Sequence, residues 1–230
     1  MFRRTWRSHM TDSEHRRGLV FLLLFLLIFP RVNAWAQKLF LSDAETMAAE
    51  ANIIYYGFLF ILVLLVFWGF LRQDFMDLLD WLPENLYGCV IALAAALAGR
   101  GLLSLLPLPV SDPTLSQYAA EFAASPVATS VLVILLIPLV EEMAFRGILY
   151  GSLRGYSKPI AAVVTVLGYA FACVWRYALD LSDPWYLLLI LLYLPMSAAL
   201  TWCYDNGGSI WGTAVCHAAI NAATLFLAVR

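Results

Sequence analysis

The stretch 137-IPLVEEMAFRGILY-150 sets three ionisable side chains, Glu141, Glu142 and Arg146, inside a long apolar run. Charge at membrane depth is costly, rare and usually functional. On a helix Glu142 and Arg146 are four residues apart, so they share a face and can pair. Glu141 points about 100° away and is left without a local partner. Two readings follow. In one, the charges are a Glu–Arg clip that holds a bundle together. In the other, Glu141 is a catalytic carboxylate and the neighbouring pair fixes its orientation.

Composition sets the class. The 230 residues are 63% hydrophobic and 13% charged, against about half and about a quarter in soluble domains. The expectation is an all-α, polytopic transmembrane helix bundle in contact with membrane lipid. The net charge of −2 gives no reason to expect nucleic acid as a partner. Cys89, Cys173, Cys203 and Cys216 are scattered singly in apolar segments, with neither metal-ligand spacing nor a disulfide framework. They read as small buried hydrophobes, and neither metal nor cofactor is expected.

Outward from the central stretch, apolar runs recur. Val127–Tyr150 is the span that carries the glutamates, preceded by an outer loop with Asp112 and Glu121. Leu86–Leu106 comes before that loop, with Arg100 near its end expected to snorkel. Ile53–Leu71 is a further span. Between the two, Gln73–Glu84 has Phe75, Leu78, Leu79 and Leu82 on one face and acidic residues mostly elsewhere, the pattern of an interfacial helix. After the glutamates come Pro159–Leu179, Trp185–Trp202 with a kink expected at Pro195, and Gly208–Val229.

At the N-terminus, Arg3, Arg4, Arg7, Arg16 and Arg17 precede the short apolar run Gly18–Pro30 and the A-x-A triplet Ala34-Trp35-Ala36. Residues 1–36 therefore read either as a basic tail with a signal-peptide-like segment or as a first transmembrane helix. Residues 37–230 form one integral membrane domain. The count is six spans, or seven with the N-terminal run. Arg72, Arg154 and Lys158 fall in loops on one side, and loops 107–126 and 180–184 hold no Lys or Arg. The positive-inside rule then puts the N-terminus in the cytoplasm.

His217 sits inside the last span, and Asn221 follows four residues later on the same face. Glu141 and Glu142 lie eight or nine residues in from Tyr150, and His217 lies nine in from Gly208. Both groups are thus about 12–14 Å below the same edge at 1.5 Å per residue. They can converge in a polar cavity opening to the cytoplasm. A carboxylate to take a proton from water, with a His and an Asn for a developing oxyanion, is the equipment of an amide hydrolase.

Glu141-Glu142-x-x-x-Arg146-Gly147 resembles the EExxxRG motif of the CAAX protease and bacteriocin-processing family, intramembrane glutamic endopeptidases related to the type II CAAX prenyl endopeptidase. Gly208–Asn221 resembles the family's HxxxN motif, and the resemblance covers about residues 125–229. It implies that Glu141 activates water, that Glu142 and Arg146 support it, and that His217 and Asn221 form the oxyanion site. The implied partner is a peptide or membrane-protein substrate; the signal-like N-terminus and compact size suit a bacterial inner membrane. Phe171-Ala172-Cys173-Val174-Trp175 stands where the family has FxxxH, so Phe171 and Trp175 join the candidate residues, with Trp175 in the place of the His. That substitution keeps a catalytically silent relative open as an immunity, binding or scaffold protein. A small transporter using Glu141, Glu142 and His217 as a proton relay is a third reading. Oligomeric state is left open.

Overall fold

The structure, a computed structural model, describes residues 8–40 and 48–230; Arg3, Arg4, Arg7 and residues 41–47 lie outside them. The described residues form nine helices and no strand. Helix α1 runs through Asp12–Leu23, a π-helical stretch at Leu24–Ile28, and Phe29–Phe40. It is followed by α2 (Ala48–Val66), α3 (Trp68–Asp80), α4 (Leu82–Leu103) and α5 (Thr114–Ala124). Then come α6 (Pro126–Arg154), α7 (Lys158–Asp180), α8 (Pro184–Gly207) and α9 (Ile210–Ala228). By length and composition six helices can cross a membrane, or seven if the pair α2–α3 counts as one broken span. With no water in the bilayer core, a helix is the element that satisfies its own backbone, and the protein is an integral membrane helix bundle.

The α2–α3 pair differs from the expected course. The chain turns by 85° at Phe67, so the helical direction changes about five residues before the apolar run ends at Leu71. Three carboxylates hold the corner and the helix that follows it. Glu14 on α1 closes a capping box with Thr11 and also accepts from the Phe70 N–H at 3.1 Å, satisfying an orphan donor of the new helix. Asp77 on α3 pairs with His9 at 2.6 Å. Asp74, expected on the polar face of an interfacial helix, is instead buried. It accepts from the Ser209 hydroxyl and the Ile210 N–H, both at 2.8 Å, and so caps the start of α9. Phe75 and Leu79 stay exposed on the outer face of α3, where an interfacial helix meets lipid.

The two ends of the bundle are tied separately. At one end Asp205 of α8 receives Arg154 at 2.8 Å, Tyr150 at 2.6 Å and Lys158, joining α6, α7 and α8. At the other, Arg100 does not snorkel freely but pairs with Asp112 at 2.6 Å and lies over the Tyr193 ring. Between these ends α4 and α8 pack closely, because a Cβ on Gly99 would come within 2.6 Å of Pro195. Small residues of this kind let membrane helices approach. Helix α8 ends at Gly208, whose φ of 73° lies in the left-handed region that suits glycine. The expected end at Trp202 is therefore five residues short.

Helix α1 is built into the bundle. Phe21, Leu22 and Phe25 are buried, Phe25 meets Phe145 edge-on, and Asn33 and Gln37 both donate to Asn52 of α2. The Lys/Arg distribution predicts that the Arg154–Lys158 end is cytoplasmic. In intact cells Ser116→Cys is expected to react with an impermeant maleimide, and Ser157→Cys only after permeabilisation. The opposite pattern would invert the orientation.

Candidate active site

The centre of α6 supplies both glutamates. Glu142 is fully buried, and its Oε1 accepts two hydrogen bonds, from Arg146 at 2.9 Å and from His217 Nδ1 at 2.7 Å. Arg146, also fully buried, donates to the Ser197 carbonyl at 3.0 Å and hydroxyl at 3.3 Å, and its guanidinium lies 4.6 Å from the centroid of the Tyr169 ring. A cation over an aromatic face, with a carboxylate and a carbonyl at its edges, is held by several polar partners at once. Four helices, α6, α7, α8 and α9, meet at this ion pair, α9 through His217 on Glu142.

Because Glu142 is the acceptor, His217 presents an N–H on Nδ1 to it. Nε2 points to the second polar group of the cluster. It lies 3.5 Å from the Tyr169 hydroxyl and 3.9 Å from Glu141 Oε2, and Tyr169 donates to that same Glu141 oxygen at 3.0 Å. The Glu141 side chain keeps 18% of its surface accessible, against none for Glu142. Tyr118 of α5 stands close enough to feel this carboxylate: burial first, and then the Glu141 charge, raise its hydroxyl pKa.

Asn221 is turned elsewhere. Its Nδ2 donates to the Val133 carbonyl at 2.9 Å. The reason lies in α6, which runs with π-type bonds through Val131–Leu136, so that the Ile137 N–H reaches back five residues to Leu132. The next residue is Pro138, which has no N–H to give Val133. Asn221 supplies the missing donor, and an N–H on the same amide remains for another acceptor.

Phe171 and Trp175 are not in the cluster. Phe171 is 48% exposed, and its ring stacks on Trp175 at 6.5 Å. Trp175 borders a hollow of about 90 Å³ shared with Pro30, Arg31 and Arg176. This corrects the expectation that Trp175 lines the site in place of a His. The helix face that looks at Glu141 carries Tyr169 and, one turn on, Cys173; Phe171 and Trp175 are offset from them by two residues, about 200° round the axis. Tyr169-x-x-x-Cys173 has the same i, i+4 spacing as the motif sought at 171 and 175, so spacing alone could not choose between them. A hydroxyl in mid-span was the available signal for Tyr169. Ser197 had none, since it acts through its backbone as much as its side chain. A second hollow, of about 430 Å³, lies at the α1–α3 corner among His9, Thr11, Glu14, Arg17, Trp68 and Gln73. Neither hollow includes Glu141, and the expected cytoplasm-facing cavity is not one of them.

Arg146→Ala leaves Glu142 as a buried, uncompensated charge. Breaking such a pair costs about 3–5 kcal/mol. The variant is expected to melt well below wild type in detergent, with part of the loss recovered in Arg146→Ala/Glu142→Gln. Asn221→Ala strands the Val133 carbonyl and is expected to cost about 1–3 kcal/mol, read from the same melting curves.

No curated protein and no solved structure matches the chain. A family model does: residues 123–223, which hold Glu141, Glu142, Arg146, Tyr169, Ser197, His217 and Asn221, match the type II CAAX prenyl endopeptidase Rce1-like family. That match falls on the segment that carries the EExxxRG and HxxxN motifs and supports the resemblance to the CAAX protease and bacteriocin-processing family.

Proposed function

We propose that the protein is an intramembrane endopeptidase of a bacterial inner membrane, with a cytoplasmic N-terminus, in which Glu141 activates water against a peptide or membrane-protein substrate. The observation that carries the reading is the division between two adjacent glutamates. Glu142 is spent on Arg146 and His217, whereas Glu141 keeps an accessible edge beside a Tyr hydroxyl and an imidazole nitrogen. A purely structural clip needs the first glutamate and not the second.

The chemistry follows from these positions. A water beside Glu141 gives one hydrogen bond to its carboxylate and the other to Nε2 of His217. As its oxygen attacks the peptide carbon, Glu141 takes the proton and the carbonyl electrons move onto oxygen. Once Glu141 holds the proton, the Tyr169 hydroxyl that had donated to it is released to turn to that oxyanion, and the free N–H of Asn221 is the second donor. Collapse breaks the C–N bond, and the amine leaves with the proton from Glu141. Glu142 holds His217 in one tautomer and Arg146 neutralises Glu142.

The second reading, a silent relative, is favoured by one observation: α7 sets Tyr169 and Cys173 toward Glu141, where the family carries an imidazole. The two are separated by assay in proteoliposomes against a quenched peptide library. For a protease, Glu141→Gln abolishes cleavage without lowering the melting temperature, and Tyr169→Phe slows it by about 10²–10³. Trp175→His leaves the rate unchanged and Cys173→His raises it. Equal background from wild type and Glu141→Gln would leave the silent relative.

A further inference from the structure

Three of the four cysteines come together. Cys89 of α4, Cys203 of α8 and Cys216 of α9 bring their sulfurs within 4.8 Å of one another. Cys203 and Cys216 are 1% exposed, and Cys89 is partly open. The Cys89 thiol donates to the Gly212 carbonyl at 3.0 Å, and Cys216 to the Cys89 carbonyl at 3.5 Å. Cys89 lies seven residues into α4, Cys203 four from the end of α8, and Cys216 six into α9. All three are thus about 6–10 Å inside the same end of the bundle, the end tied by Asp205.

An ion bonded to three sulfurs at about 2.3 Å needs them about 4 Å apart. The triangle here needs to contract by less than about 1 Å to meet that. Among the described residues no imidazole or carboxylate joins the group. Zinc in a closed site wants a fourth ligand, and none stands there. Soft sulfur donors select copper(I), which is content with three.

We infer that Cys89, Cys203 and Cys216 form a three-sulfur site for a single copper(I) ion, entering past Cys89. Binding releases the three thiol protons to solvent and changes no oxidation state. The ion ties α4, α8 and α9 together at the residue next to His217, whose ring is held by Glu142. The inference is independent of whether the protein cleaves peptides.

The test uses the full chain, purified in detergent without oxygen and titrated with copper(I) held by a coloured chelator. Wild type is expected to withdraw one copper per chain and to show a shell of three sulfurs at about 2.3 Å by X-ray absorption. Cys89→Ser, Cys203→Ser and Cys216→Ser are each expected to weaken binding by about tenfold or more, and Cys173→Ser to leave it unchanged. Should the two buried variants fail to accumulate, Cys89→Ser and the wild-type spectrum decide. The site is overturned if no copper leaves the chelator, if Cys89→Ser binds as wild type does, if Cys173→Ser weakens binding equally, or if the shell contains nitrogen or oxygen. Preferential retention of zinc(II) would overturn the assignment of the ion.

Discussion

A single buried ion pair, Glu142 with Arg146, constrains the whole bundle. Neither charge has access to solvent, and burying two charges is repaid only when every neighbouring group is arranged to meet them. Here those groups come from four helices: the Ser197 carbonyl and hydroxyl, the face of Tyr169, and Nδ1 of His217. The mutual position of α6, α7, α8 and α9 is therefore set by polar contacts that apolar packing alone would leave undefined. In a membrane this matters more than in water, because lipid tails are as apolar as the side chains they would replace.

The same logic governs the ends of the helices. Asp74 caps α9 and Glu14 caps α3, so two carboxylates that look like surface charge fix the entry of one helix and the corner of another. Since α9 carries His217 seven residues after the N–H that Asp74 holds, the register of the imidazole against Glu142 depends on a residue in a distant part of the chain. The Asn221 bond to Val133 fixes the same helix from its other side, and it does so because Pro138 leaves a carbonyl unpaired next to the glutamates. A π-helical stretch on either side of Ile137–Glu142 is what brings these groups to one level of the bundle, and such stretches are frequent at functional sites.

Glu141, relieved of any structural task, is the one acidic group of the cluster with an accessible edge. Its neighbours Tyr169 and His217 are each held by another contact: Tyr169 by Phe145 at 5.1 Å and the Arg146 cation, His217 by Glu142. Groups held in this way keep little conformational freedom, the arrangement that the proposed glutamate chemistry requires.

Hydropathy and the spacing of charges determined, from the sequence by itself, that the chain crosses a membrane as helices. They also showed that Glu142 faces Arg146 and that His217 reaches the depth of the glutamates. These are local properties: apolar length against bilayer thickness, and 3.6 residues per turn along one helix. What only the tertiary structure decided is which faces meet. Tyr169 rather than Trp175 turns to Glu141, although both candidates obey the same four-residue spacing, because the rotation of α7 about its axis is set by its neighbours. Asp74 turns inward and Asn221 turns to a backbone carbonyl, since an unpaired donor or acceptor in a dry interior outweighs the preference of either side chain for water. Cys89, Cys203 and Cys216 become neighbours although at least a dozen residues separate any two of them. Proximity across helices is a property of the packed bundle, and no period along a single segment encodes it.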